Sequence, residues 1–501
     1  MKKRLFWAIS IACFLWSCED DNEGVSISED ASSFSEIGSI DLGSTGASEI
    51  TAFDAKTKRL FVVNNDGSSR IEVVDLSNPM TPSKLQSIDI LAYGGGVNSV
   101  AVKNGKLAAA VEAVNKQDNG KVVIFDTQTL NLIQQVNVGA LPDMVTFSPD
   151  GKFILSANEG EPSSDYSNDP EGSVSIISIN ENYAVTTLGF DKFASNETQL
   201  ASKGFRKFGP NATLAKDIEP EYITISEDSK TAWVTLQENN AIAKVDITTK
   251  NITDIFPLGT KDHNLAGNEL DTSDKDGKVE LKTWKVKGLY LPDAIASFSV
   301  NGTSYIITAN EGDAREYDAF VEEKRIKDVS LDATKFPDAA TLQLEANAGR
   351  LKITGTLGDT DKDGDYDELY TFGTRSFSIW NGTSGSLVVD SKDLEKNVIT
   401  HQASSYDDGR SDDKGVEPEG ITIGMINNKP IAFIGLERAD AVLVYDVSNP
   451  NSPQFLQIFK TGDAPEGLLF ISSSESPNGK SLLVVSSEND GLVKIFQPNS
   501  L

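Results

Sequence analysis

The chain has 501 residues, with 45 Lys and Arg against 75 Asp and Glu, only two His and two Cys, and a hydrophobic fraction of 39% that provides for a folded core. A formal charge of −30 excludes nucleic-acid binding through phosphates, because such a surface repels a polyanion. So few His and Cys exclude a zinc site built from them and a disulfide framework, so any metal must be held by oxygen.

The chain opens with Lys2, Lys3 and Arg4 followed by an apolar run from Leu5 to Trp16, too short to span a bilayer and patterned as a signal peptide over residues 1–17. The run ends in Leu15-Trp16-Ser17-Cys18, which resembles a bacterial lipobox; it predicts cleavage before Cys18 and acylation of that cysteine, tying the chain to outer-membrane lipid. Residues 18–35 are acidic and without apolar periodicity, and read as a flexible tether. Glu19, Asp20 and Asp21 are similar to the export signal of surface lipoproteins in Bacteroidetes-type bacteria, so a surface-exposed outer-membrane lipoprotein is expected. Removal of residues 1–17 takes three cations and no acid, leaving −33.

From residue 36 to 501 the sequence repeats. "LPDMVTFSPDGKFILSANEGEP" from Leu141, "EPEYITISEDSKTAWVTLQENN" from Glu219 and "EPEGITIGMINNKPIAFIGLERAD" from Glu417 share an acid, an alternating strand, a polar turn and an apolar strand ending in acids or amides. Weaker copies begin at Glu49, Asn98, Asp293 and Glu466. Period-two alternation with Asp-Gly and Asn-Gly turns means antiparallel strands, and the shorter copies, 45 to 49 residues long, have the length of a four-stranded propeller blade. The last copy stops one strand short, while the segment from Phe34 supplies an unpartnered strand that would close the ring. The expected fold is all-β: a single seven-bladed β-propeller of four-stranded antiparallel blades with insertions, or eight blades if the stretch 293–418 hides one around "ELYTFGTRSFSIW".

In such a blade the innermost strand begins on the face where the second strand ends. Glu49, Asp143, Glu221, Asp293, Glu419 and Glu466 at the first position therefore meet Asp66, Glu112, Glu159, Glu238, Glu311, Glu437 and Glu488 at the second, with Glu417 beside them. Carboxylates crowded around a channel mouth repel one another unless cations sit among them. Turn capping by single acids is the competing reading.

"GDTDKDGDYDELY" sets Asp359, Asp361, Asp363, Asp365 and Asp367 around Gly364 at the spacing of a calcium loop, with Asp365 offering its backbone carbonyl. Tyr370 stands where an EF-hand has Glu, so the loop is similar to those seated between strands of integrin-type propellers. "DTSDKDGKVE" (Asp271, Asp274, Asp276, Gly277, Glu280) is a degenerate second candidate. Calcium is thus the expected cofactor, and the second candidate loop would take a second divalent metal. Arg315, Arg375 and Arg410 lie amid acids; if they converge over metal-bound carboxylates they form an oxyanion site for a phosphate ester, and otherwise they serve internal ion pairs. His263 and His401 sit in polar segments outside any nucleophile motif and read as solvated or capping residues.

"LPDMVTFSPDGKFILSANEGEPSSDY", "LPDAIASFSVNGTSYIITANEGDAREY", "FGTRSFSIW" and "RSDDKGVEPEGITI" resemble the choice-of-anchor I family, related to mesenchyme-specific cell-surface glycoproteins of biomineralising animals, with blades similar to YVTN-type repeats. Some bacterial members carry the label alkaline phosphatase. The resemblance implies a surface-anchored propeller. Two functions are expected as alternatives. One is a monomeric, calcium-binding surface propeller engaging a small anionic or polymeric ligand, bridged by metal, through its acidic face. The other is a metal-dependent phosphoesterase with Glu159, Glu311, Asp313, Glu417 and Glu419 as metal ligands or base and Arg315 with Arg375 on phosphate.

Overall fold

A computed structural model describes residues 28–501. The signal segment, Cys18 and most of the expected tether lie outside the described residues. Alternating sequences joined by tight turns form seven four-stranded antiparallel sheets, numbered here by the order of their first strands. Those first strands are Thr51–Asp54, Gly96–Lys103, Pro142–Phe147, Pro220–Ile225, Ile295–Val300, Pro418–Ile426 and Pro465–Ile471.

The first strand of each sheet packs against the first strand of the next, and Pro465–Ile471 returns to Thr51–Asp54, closing a ring. Second and third strands are almost wholly buried, as in Phe153–Asn158 and Ser173–Ser178, whereas outer strands such as Ser83–Asp89 are mostly exposed. The apolar core is correspondingly divided into wedges between neighbouring sheets. Trp233, Ile242, Ile306 and Trp380 fill the wedge between sheets 4 and 5, for example, and Leu60, Val62, Val484 and Val493 that between 7 and 1. This is a β-propeller, with its axis lined by the first strands.

Closure comes from the N-terminal strand Glu29–Asp41, which adds the fourth strand to sheet 7 by pairing with Leu492–Ser500, Ile40 opposite Val493. The strand starts at Glu29, ahead of the boundary expected at residue 36. The polar stretch before Phe34 is held by pairing with Ser500 and Asn499 and by Phe34 itself, buried against Phe433 and Phe459. Around "ELYTFGTRSFSIW" no further four-stranded sheet forms among the described residues. Tyr370–Thr371 joins a small three-stranded sheet, and Phe377–Asn381 is the third strand of sheet 5.

Antiparallel order places the chain segments after every second and fourth strand on one face. The long insertions, 159–172, 189–219, 258–294, 310–376 and 391–417, all fall at such positions. Two of them share a satellite core around Ile326, Phe336, Leu351 and Ile353, with Leu270 and Val286. The face that carries the acids is therefore the built-up face.

Candidate functional site

Most first strands enter the ring through a proline and an acid: Pro142-Asp143, Pro220-Glu221, Pro292-Asp293, Pro418-Glu419 and Pro465-Glu466. Before four of these prolines the chain takes positive φ, at Leu141 (46°), Leu291 (42°), Glu417 (47°) and Ala464 (57°). In four sheets the acid then sits in a break of register. Pro142 faces Asn158 and Val145 faces Ser156, so that Asp143 and Met144 share one opposing residue; the same happens at Glu221, Glu419 and Glu466. A bulge re-aims a side chain. Asp143 and Glu466, placed in this way, line a cavity of about 60 Å³ on the ring axis together with Asp293, beside Asn98 and Tyr222.

In sheets 3 and 5 the second position is fixed by an amide. Asn158 is fully buried and donates to Ser173 and Ser175, and Asn310 likewise donates to Thr374, Ser376 and Ser378. Each closes the polar account inside its sheet and leaves the next residue, Glu159 or Glu311, at the channel mouth.

Carboxylate oxygens of Asp293, Glu311 and Glu419 lie within 4.8 Å of one another, as do those of Glu311, Glu417 and Glu437, so Glu311 belongs to both groups. Burial, followed by repulsion from other carboxylates, holds Asp293, Glu419, Glu466, Glu159 and Glu221 well above the ordinary carboxylate range. Burial pushes Glu49, Asp143 and Glu238 up to about 7 and Glu437 up to about 8. Glu311 is raised by burial, with Lys414 opposing. Lys414 Nζ stands 3.6 Å from Glu311 and 2.8 Å from Asp313.

Arg315 does not reach over this centre as the phosphoesterase reading requires. It is 3% exposed, pairs with Asp217 at 2.8 Å and Glu219 at 3.0 Å, donates to the Asp217 carbonyl, and lies over the Phe208 ring. Arg375 is equally buried; it pairs with Glu395 and donates to the carbonyls of Ser411 and Asp413, pinning the helix Glu395–His401 to the following loop. Arg410 pairs with Glu417 and Asp413, and Arg438 holds Glu417 at 3.1 Å. Glu417 is thus tied to two guanidiniums and fully buried. Asp66 accepts from Ser44, a turn role.

In the 358–369 loop, Asp359, Asp361 and Asp367 bring oxygens within 4.8 Å. Gly364 has φ +102°, a backbone that only glycine adopts readily, and its N–H donates to Asp359. Asp363 and Asp365 stand outside that triad; Asp363 accepts the Asp365 N–H instead. The degenerate second loop is consumed internally: Asp271 accepts from the Glu280 N–H, and Asp274 pairs with Arg350 and Lys275. His263, expected as a solvated or capping residue, is 1% exposed, bonded locally through Nδ1 to the Asn268 carbonyl, and held neutral by burial, which pushes it down to about 3. His401 stacks on Phe455. Sequence reasoning missed Glu161, Glu323 and Lys352, which line the acidic face; the acid doublet in "NEGEP" was the available signal for Glu161.

Fold and site together define a β-propeller with a carboxylate-lined axial mouth and an insertion-built face. The chain belongs to the choice-of-anchor I family, whose domain matches residues 49–450. It is 27% identical over 194 residues to Gigasin-3a of Magallana gigas, covering 32% of this chain and 68% of that protein. It is 25% identical over 301 residues to the Mesenchyme-specific cell surface glycoprotein of Strongylocentrotus purpuratus, covering 51% of this chain and 38% of that protein, so it spans little more than a third of the latter's length. Among solved structures it resembles Kuenenia stuttgartiensis hydrazine synthase (12% identity, TM-score 0.49, 91% of this chain and 97% of that one). It also resembles the Cps50 (Swd1) beta-propeller domain of Myceliophteria thermophila (9% identity, TM-score 0.47, 93% and 100%).

Proposed function

We propose that this protein is a cell-surface β-propeller, lipid-anchored through Cys18, that binds Ca²⁺ and through it engages an anionic ligand or polymer. The observation that carries the reading is the pair of carboxylate triads sharing Glu311 at the channel mouth, Asp293 with Glu419 on one side and Glu417 with Glu437 on the other, the oxygens within each triad lying in ligating reach of one another. Glu419 Oε2 is buried there without a hydrogen-bond partner. A buried carboxylate without a donor is costly unless it is protonated or meets a cation, and oxygen-only donor sets suit a hard ion such as Ca²⁺. Asp359, Asp361 and Asp367 would hold a second ion in the outer loop. A cation bound at the mouth leaves coordination positions open for a carboxylate, sulfate or phosphate of the ligand. The cell-surface placement rests on the lipobox-like segment and on the name of the sea-urchin relative.

Isothermal titration of the soluble chain from Glu19 onward with Ca²⁺ tests this. Two classes of site are expected, one lost in Asp361→Asn and the other in Glu311→Gln; retention of full binding in Glu311→Gln would remove the channel-mouth site. Cys18→Ala is expected to move the full chain from the membrane to the soluble fraction.

The phosphoesterase alternative has weaker support, because Arg315 and Arg375 are both occupied by buried carboxylates and backbone carbonyls. Turnover of a chromogenic phosphomonoester that stops on chelation and in Asp293→Asn would restore it.

A further inference from the structure

Beside the channel mouth, a cavity of about 310 Å³ opens between the ends of the second strands of sheets 3 and 4 and the insertion of sheet 5. Eight carboxylates and four basic groups line it. The basic groups are already committed: Arg315 to Asp217 and Glu219, Lys352 to Glu323 and Asp413, Arg410 to Glu417 and Asp413, Lys414 to Asp313 and Glu311. The acids on the opposite wall are not. Among the described residues Glu159 and Glu221 form no ion pair and accept no hydrogen bond, and Lys116, the cation that acts on Glu159 from a distance, pairs with Glu112 at 3.5 Å. Glu238 is 6% exposed and its Oε2 has no hydrogen-bond partner, yet it forms part of the cavity wall. Three acids without an ion-pair partner thus face a space with room for about ten waters.

The geometry also limits what fills that space. Glu159, Glu221 and Glu238 are not among the carboxylates whose oxygens approach within 4.8 Å, so one bare ion does not ligate all three. Their charges call for positive groups carried at separate points along one molecule. Tyr317 supplies an aromatic wall, fixed by its hydroxyl's bond to Glu161 at 3.2 Å and by edge-to-face contact with Tyr166. Such a ring accepts methylene groups and attracts ammonium.

We propose that this cavity binds an aliphatic di- or polyamine, its primary ammonium groups donating to Glu159, Glu221 and Glu238 and its methylene chain lying along Tyr317. The site is separate from the channel-mouth cation centre and does not depend on it. Each ammonium offers three donors to carboxylates that have none, the charge-assisted pairing that buried acids need.

Calorimetric titration of the soluble chain from Glu19 with spermidine, in saturating Ca²⁺ and physiological salt, tests the assignment. A single saturable site is expected, weakened about tenfold or more by Glu238→Gln and by Glu159→Gln. Each loses one charged acceptor, and each variant's own thermal midpoint reports whether it folds. Glu36→Gln, on the outer edge strand, is expected to leave binding unchanged, and ammonium chloride at equal ionic strength to give no saturable signal. Many weak sites indifferent to Glu238→Gln would mean condensation on an acidic surface and would overturn the proposal. So would the absence of heat, or displacement of spermidine by Ca²⁺ at the same glutamates.

Discussion

Arg315 sits beneath the acidic face with Asp217 at 1% and Glu219 at 2% exposure as its partners. Its removal leaves two buried acids without their cation, Asp217 keeping only its bonds from Phe208, Gly209 and Asn239, so Arg315→Ala is expected to cost about 3 kcal/mol of stability, read as a lower midpoint in urea denaturation. An unchanged midpoint would deny it that structural part. The recurrent acids could be found from sequence because each stands at a fixed place in a repeat, after a proline in Asp143, Glu221, Asp293, Glu419 and Glu466 and after an amide in Asp66, Glu159, Glu238 and Glu311. The arginines could not be placed the same way. Asp217 and Glu219 lie almost a hundred residues from Arg315 in the chain, and only the fold of two insertions shows that they take up its donors. The burial of His263 was hidden for the same reason: its bond to the Asn268 carbonyl is the local capping that the sequence allowed, but nothing in the polar stretch "KDHN" marks the ring as covered and kept neutral.

At the scale of elements, the strand Glu29–Asp41 is decisive because it covers the edge of sheet 7. A chain begun at Leu42 exposes the backbone of Leu492–Ser500 as an unpaired edge, and such edges recruit other chains. It is expected to run as oligomer or aggregate in size-exclusion chromatography, while a chain begun at Ser28 elutes as one species; identical elution would show that closure needs no N-terminal strand. The alternating part of this strand, from Phe34, was legible, and so was its pairing with the C-terminal copy. Its first residues, "EDASS", carry no alternation; their strand conformation is imposed by the partner strand some 470 residues away and so leaves no local mark. In the same way, "DTSDKDGKVE" shows a calcium-loop spacing, but Lys275 within it and Arg350 from outside it take up Asp274.

For the whole molecule, acids gathered by seven sheets onto one axis tie stability to pH. Glu49, Asp143 and Glu238 titrate near 7 and Glu437 near 8 in the folded chain, against about 4 for unfolded carboxylates. Their folded values are raised, so the folded state binds more protons than the unfolded state between those limits. Their contribution is fully present below about pH 4 and is lost as pH rises through 7 to 8. The proposed cation at the mouth, held by Glu437 and its neighbours, would offset part of that loss by mass action on the folded state.

Thermal unfolding of the Asp361→Asn chain, whose outer loop no longer contributes, therefore tests the cation-binding mouth most directly when followed at about pH 5.5 and about pH 8, each with chelator and with Ca²⁺. The account predicts a midpoint in chelator that is lower at the higher pH, and a Ca²⁺-dependent rise that is larger there than at the lower pH. A midpoint in chelator that does not fall with pH, together with no response to Ca²⁺ at the higher pH, would contradict it.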